Sequence, residues 1–221
     1  MTSSPAAPRL VFVGDSITDA GRDRADRASL GDGYVSLVAR DLPDVDVVNV
    51  GIGGDRAVDL ERRWERDVAP TAPDVLTVYV GVNDTWRRFD SDDETTAASF
   101  EATYRRLLAR VLGGPRLILV EPFLLPVRDE QRGWLADLDG KRGVVRRLAA
   151  EVGAAVVPLH ALLSRAAQDV GAAALAPDGV HPLPAASRLI ADAWLEAYRA
   201  GAVEDDAAAP STVDDGATVR P

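Results

Sequence analysis

RLVFVGDSI, residues 9–17, decides how the chain is read. Arg9–Val13 is a short apolar run of strand length. It breaks at Gly14, and Asp15-Ser16 follows. Such a pair is common where a strand turns into a helix and a short polar side chain caps the helix start. The run therefore reads as part of the fold.

Working outward, short apolar runs alternate with longer amphipathic ones. Gly33–Leu42 reads as a helix, with Tyr34, Leu37, Val38 and Leu42 at helical spacing. Val45–Val50 is a second strand. Val58–Val68 is a helix carrying Leu60, Trp64 and Val68 four apart. Asp74–Val80 is a third strand. Glu94–Leu112 is a long helix with Phe100, Tyr104, Leu107, Leu108 and Val111 on one face, ended by Gly113-Gly114-Pro115. Arg116–Glu121 is a fourth strand and Gln131–Val152 a helix interrupted by Gly133, Gly140 and Gly143. Ala154–Pro158 is a fifth strand, followed by helices over Ala161–Val170 and Pro184–Ala200. Five strands alternating with helices imply a five-stranded parallel sheet covered on both faces, a three-layer α/β/α fold.

Residues 9–200 read as one domain. Residues 1–8 are small and polar and read as a disordered N-terminus. Residues 201–221 hold five acids against Arg220 and read as an acidic disordered tail, too polar to offset its ordering entropy. The tail supplies −4 of the net charge of −10.

Composition excludes several chemistries. The chain has 221 residues, two histidines and no cysteine. A thiol nucleophile, a disulfide framework and cysteine-ligated metal centres are therefore out. Two histidines cannot make a three-histidine metal site. Of 25 basic residues only Lys141 is lysine, which removes most lysine-based chemistry. The acidic balance argues against nucleic acid and against an anionic membrane surface. No apolar stretch is long enough to span a bilayer. Without a basic n-region or an apolar h-region at the N-terminus, the expected location is cytoplasmic.

In a parallel α/β sheet, ligands bind beyond the carboxyl ends of the strands. Four motifs fall there: Gly14-Asp15-Ser16-Ile17, Asn49-Val50-Gly51-Ile52-Gly53-Gly54-Asp55, Gly81-Val82-Asn83-Asp84 and Asp178-Gly179-Val180-His181. A serine hydroxyl is a weak nucleophile until a base takes its proton. His181 can be that base if a carboxylate fixes its tautomer, and Asp178 lies three residues before it. An oxyanion needs donors, for which the Ser16 amide, a glycine amide after the second strand and the Asn83 side chain are candidates. Each motif alone has a plain alternative, as an N-cap, a tight turn or a surface turn. A dinucleotide loop is excluded because G-x-G-x-x-G would need glycine at Arg56. A phosphorylation receiver with Asp15 as acceptor lacks a suitably placed lysine.

This constellation resembles the SGNH hydrolases, the GDSL esterase/lipase family, over roughly residues 9–200. Ser16 matches the nucleophile of its first block. Asn49 opens the second block and Gly54 matches its oxyanion glycine. Asn83 matches the third block, and Asp178 with His181 the fourth. GDSITDAGR (14–22), Gly33-Tyr34-Val35, Asp59-Leu60, Arg63-Trp64, NDTWRRFD (83–90) and Val180-His181-Pro182 are similar to the acetylxylan and xylooligosaccharide esterase branch. Pro177 departs from that branch, where an aromatic residue often precedes the aspartate.

The resemblance implies a flavodoxin-like SGNH hydrolase fold and a serine esterase that removes small acyl groups, acetyl first, from carbohydrate. It needs no cofactor and no metal, takes a small-molecule ester as partner, and is compatible with a homo-oligomer. Asp15, Trp86 and Arg87 are candidate substrate-binding residues: Trp86 to stack on a sugar or wall the acyl site, Arg87 to donate to substrate oxygens, and Asp15 mainly to brace the loop. Asp19 and Arg22 are expected to pair near the site, and His160 to stand outside it. The alternatives are a longer-chain lipase, lysophospholipase or thioesterase on the same fold, and a non-catalytic carbohydrate-binding module.

Overall fold

A strand whose residues are apolar on both faces can be stable only between two layers of helix. Strand β1 (Arg9–Gly14) is such a strand, buried from Leu10 to Gly14. The computed structural model, which describes residues 7–208, places it at the centre of a sheet with β2 (Asp46–Asn49) on one side and β3 (Val75–Tyr79) on the other. β4 (Arg116–Val120) and β5 (Ala155–Val157) extend the sheet past β3. All pairings are parallel and the order is β2-β1-β3-β4-β5. The three-layer expectation holds.

Leu10 and Phe12 point into one core, with Tyr34, Val38, Ile118 and Trp194. Val11 and Val13 point into the other, with Leu60, Trp64, Phe100, Tyr104 and Leu107. Helices α2 (Tyr34–Asp41), α7 (Leu159–Val170) and α9 (Pro184–Ala208) supply the first core; α3 (Ala57–Asp67) and α5 (Ala97–Ala109) supply the second. α6 (Asp129–Val152) contributes to both, through Trp134 and Leu138 at its start and Val145 and Leu148 further on. Thr77, a polar residue within β3, is satisfied by the Trp194 indole N–H at 2.9 Å.

Several boundaries differ from the sequence reading. α5 begins at Ala97 and not at Glu94, because the Thr96 hydroxyl accepts from Ser99 N and caps it. α6 tolerates its glycines; at Gly140 a Cβ would come within 3.2 Å of Ala97 Cβ. Three short helices were not expected: α1 (Ser16–Asp19), α4 (Val82–Asp90) and α8 (Ala172–Leu175). α9 runs to Ala208, eight residues past its expected end. Those eight include three alanines and no proline, so nothing in them stops a helix. The rest of the expected tail, 209–221, and residues 1–6 lie outside the described residues. No described helix is long and apolar enough to cross a membrane.

Because β2 and β3 both flank β1, the chain reverses direction across the sheet at β1. The crevice between the loops after β1 and β3 is the place where open α/β sheets bind ligands.

Candidate active site

Gly14 brings the first loop into that crevice. A Cβ there would lie 2.3 Å from Tyr79 O and 2.4 Å from Thr18 Oγ1, so only glycine lets β1 turn so close to β3. Asp15 caps the one-turn helix α1, its Oδ1 accepting from Ile17 N at 3.0 Å. Ser16 is thereby the first residue of α1, and its amide has no intrahelical acceptor.

The Ser16 hydroxyl donates to His181 Nε2 at 2.8 Å. His181 Nδ1 meets Asp178 Oδ2 at 2.5 Å. With Nδ1–H on the carboxylate, Nε2 is left as the acceptor. Asp178 Oδ1 also accepts from Val180 N at 2.9 Å and His181 N at 2.8 Å, so the loop's own amides aim the carboxylate. Burial works to raise the Asp178 carboxyl; the bonds from His181 and Val180 outweigh it and hold it below the usual carboxylate range. The pair is open to solvent, with side-chain exposures of 47% for His181 and 37% for Asp178.

The second loop crosses in front of Ser16. Gly54 adopts φ +87°, a conformation that favours glycine. Among the described residues, neither the Gly54 amide nor the Ser16 amide has a hydrogen-bond acceptor. Asn83, at the start of α4, donates one Nδ2 hydrogen to Asp55 O at 3.1 Å. The other hydrogen of that NH₂ is free for a ligand. Asp84 Oδ2 accepts from Ala57 N at 3.1 Å. The loops after β2 and β3 are thus pinned together just past Gly54, at Asp55 and Ala57. The structure brings Ser16, Asp178, His181, Gly54 and Asn83 to one rim.

The three candidate substrate residues fare differently. Trp86 lies beside the imidazole, ring centroids 6.2 Å apart, with Trp134 behind it at 5.8 Å. The Arg87 guanidinium is engaged by Asp90 at 2.8 Å and, among the described residues, makes no hydrogen bond to a rim group. Asp15 is a correction: its side chain is fully buried and reaches no surface a substrate could touch. Its position as N-cap points the carboxyl inward. Burial pushes that carboxyl up to about 7, with the charges of Asp84 and Asp55 adding to the effect of burial. Burial likewise brings Asp84 to about 6.

Asp19 and Arg22 approach at 3.7 Å, as expected. Asp19 also accepts from Gly53 N at 2.9 Å and pairs with Arg24. Half-buried His160 stands apart, brought down to about 4 by burial and the neighbouring Arg142.

Two residues take supporting roles that the sequence reading did not assign: Gln131, which it named only as the start of a helix, and Arg63, which it named only within Arg63-Trp64. Gln131, fully buried at the start of α6, donates from Nε2 to Asp178 O at 2.7 Å, and its Oε1 accepts from Val127 N at 2.9 Å. Arg63, buried on α3, holds Asp55 at 2.6 Å and donates to Gly14 O at 3.3 Å. It ties the loop before the serine to the loop bearing Gly54. Among the described residues, no group of three or more histidine or acidic side chains is arranged to hold a metal ion.

Residues 12–189 match the GDSL-like Lipase/Acylhydrolase family. An acetylxylan esterase from Geobacillus stearothermophilus is 35% identical over 202 residues, which is 85% of this chain and 92% of that protein. Its crystal structure superposes with a TM-score of 0.80 at 33% identity, covering 87% of this chain and 95% of that one. An alpha/beta hydrolase enzyme from the metagenome of Lake Arreo, Spain, superposes with a TM-score of 0.81 at 33% identity, covering 87% of this chain and 95% of that one. Two solved variants of the Geobacillus enzyme, described as catalytic mutants, carry alanine in place of a serine and of an aspartate. The chain belongs to the GDSL-like lipase/acylhydrolase family.

Proposed function

We propose that this carboxylic ester hydrolase removes small acyl groups, acetyl first, from carbohydrate, with Ser16 as nucleophile, His181 as base and Asp178 as its orienting carboxylate. The observation that carries the proposal is the relay Ser16 Oγ–His181 Nε2 at 2.8 Å and His181 Nδ1–Asp178 Oδ2 at 2.5 Å, beside two unpaired rim amides. Ser16 Oγ attacks the ester carbonyl as its proton passes to Nε2. The carbonyl oxygen becomes an oxyanion facing the Ser16 amide, the Gly54 amide and the Asn83 Nδ2 hydrogen. The imidazolium, supported by Asp178, returns the proton to the departing alkoxide. Water then gives a proton to His181, attacks the acyl-serine and releases the acid. No step draws on a cofactor or a metal.

The acetyl preference is supported by the esterase relatives. The carbohydrate preference is supported by Trp86, whose flat apolar ring beside the imidazole suits the C–H face of a sugar. The test is a chain-length panel of p-nitrophenyl esters together with acetylated xylo-oligosaccharides. Wild type is expected to prefer acetate, and Ser16→Ala to lose hydrolysis of all of them. Most activity retained in Ser16→Ala overturns the nucleophile; octanoate preferred to acetate overturns the acyl assignment.

A further inference from the structure

Ester hydrolysis makes no use of a cavity of about 530 Å³ that opens along β2, the edge strand of the sheet. Five arginines line it against two aspartates. In a chain of net charge −10 this is a local reversal of sign. At its far end Arg9 pairs with Asp46 at 2.6 Å, and Arg66 meets Asp67 at 2.6 and 2.9 Å. At the other end the lining holds Arg22, Arg24 and Arg27 and no acid, while exposed Asp23 and Asp26 stand between them in sequence. There Arg22 and Arg24 share Asp19, and exposed Arg27 has no ion pair among the described residues. Burial, the largest cause, lowers the Arg22 guanidinium from its ordinary range against the opposing charge of Asp19, and the charges of Arg24 and Arg63 add to the lowering.

That end adjoins the nucleophile. The point where a Cβ of Gly53 would stand is 3.6 Å from both Arg24 Nη2 and Asp19 Oδ2 and 3.7 Å from Ser16 Cβ. Gly53 has no side chain to fill the gap, so Ser16 and the Arg24–Asp19 pair border the same space. The cavity has the size of an ordinary ligand site. Val48, Val50 and Ile52 supply apolar wall. As an edge strand, β2 leaves backbone N–H and C=O groups without a partner strand. Guanidinium forks match carboxylate geometry, apolar wall matches sugar C–H faces, and free backbone groups match hydroxyls.

We infer that this cavity is a subsite for the alcohol part of the ester and takes a saccharide bearing a carboxylate, held by Arg27 with Arg22 and Arg24. The inference rests on the ester-hydrolase reading of Ser16 and His181 and narrows its substrate to acylated acidic saccharides.

The probes are an acetylated xylo-oligosaccharide with one uronic acid branch and its neutral counterpart of equal length. kcat/KM is measured for both with wild type, Arg27→Ala and Arg27→Glu. Dissociation constants are measured by calorimetry on the Ser16→Ala protein with and without each Arg27 change. Arg27 is exposed and unpaired, so neither substitution disturbs the core. The acidic compound is expected to be favoured roughly fivefold or more at low salt, a few exposed charge contacts acting together. The preference falls toward parity at about 0.5 M salt, where screening is short-ranged. In Arg27→Glu it drops to parity or reverses. Equal kcat/KM and equal binding of the two compounds overturn the subsite while leaving the ester reading intact. So does a preference unchanged in both Arg27 variants. Inorganic phosphate bound as tightly as the acidic oligosaccharide overturns the saccharide assignment. Acid-selective, Arg27-dependent binding in a protein that hydrolyses neither compound supports the subsite and overturns the ester reading.

Discussion

Replacing Arg63 with leucine should cost both stability and turnover, and the stability loss should depend on pH. Arg63 and Asp55 retain only 6% and 12% side-chain exposure and meet at 2.6 Å. Removing one partner of a buried pair costs about 3–5 kcal/mol, because the other charge is left without compensation. For a chain of this size that corresponds to roughly 6–20 °C in Tm. Burial raises the Asp55 carboxyl from its ordinary range, and Arg63 opposes that rise. A carboxyl raised on folding contributes stability that is fully present when it is protonated and is lost as pH rises through its folded value. Without Arg63 the carboxyl goes higher still. The destabilisation is then larger at about pH 8 than at about pH 5, because lower pH favours the protonated carboxyl, which needs no counter-charge.

Turnover follows from geometry. The Asp55 carbonyl holds Asn83 and the next residue back is Gly54, so a shift of this loop moves both proposed oxyanion donors together. Misplacement on the order of 1 Å costs about 10²-fold in rate. The assay is thermal melting at the two pH values, with kcat on p-nitrophenyl acetate well below Tm. A loss below about 1 kcal/mol, or one equal at both pH values, would show that Arg63 is not the counter-charge of a buried Asp55.

Asn83→Ala should lower kcat by about 10²–10³, the usual loss for one oxyanion donor; steady-state kinetics with little change in kcat would remove it from that role. Asp15→Asn and Asp84→Asn should each flatten the dependence of Tm on pH between about 5 and 8, since both wild-type carboxyls are raised, to about 7 and about 6, and their contributions are lost as pH climbs through those values. A slope equal to wild type in the double variant contradicts the buried pair. Gln131→Ala should destabilise by about 1–3 kcal/mol and lower kcat, because the Asp178 carbonyl and the Val127 amide lose a buried partner. Denaturant titration and kinetics on the same sample check it, and unchanged kcat would mean the loop carrying Asp178 and His181 holds its shape unaided.

What could be read from sequence was whatever is local. Leu10–Val13 is apolar at every position, so a central strand was legible without knowing its neighbours. Gly14, Ser16, Asn83, Asp178 and His181 each follow a strand or precede the last helix, and their placement on one rim follows from the parallel topology. Helix α4 was hidden because VNDTWRRFD has few apolar residues; the aromatic side chains that anchor it, Trp86 and Phe89, pack on Trp134 from a distant helix. Asp15 carried no sign of its burial, because a carboxylate beside the proposed nucleophile reads equally as cap and as contact. Arg63 was one arginine among 24, and Gln131 one polar residue at a helix start. Their importance lies in partners 47 to 49 positions away, which no periodicity encodes.

A hydrolase that builds negative charge on an oxyanion has reason to avoid carboxylates nearby, yet Asp15, Asp19, Asp55 and Asp84 all lie in the segments that follow β1, β2 and β3. A carboxylate is a short, strong acceptor for backbone N–H groups, and three of these four are used that way: Ile17 N on Asp15, Gly53 N on Asp19 and Ala57 N on Asp84. The electrostatic cost is contained in two ways. Asp19 and Asp55 are matched by arginines, Arg24 with Arg22 and Arg63. Asp15 and Asp84 are buried so deeply that each holds its proton up to about 7 and about 6. Rigid loops and a tolerable field therefore come from the same residues. On this reasoning a change that ionises either buried carboxyl without moving the backbone slows acylation by charge alone.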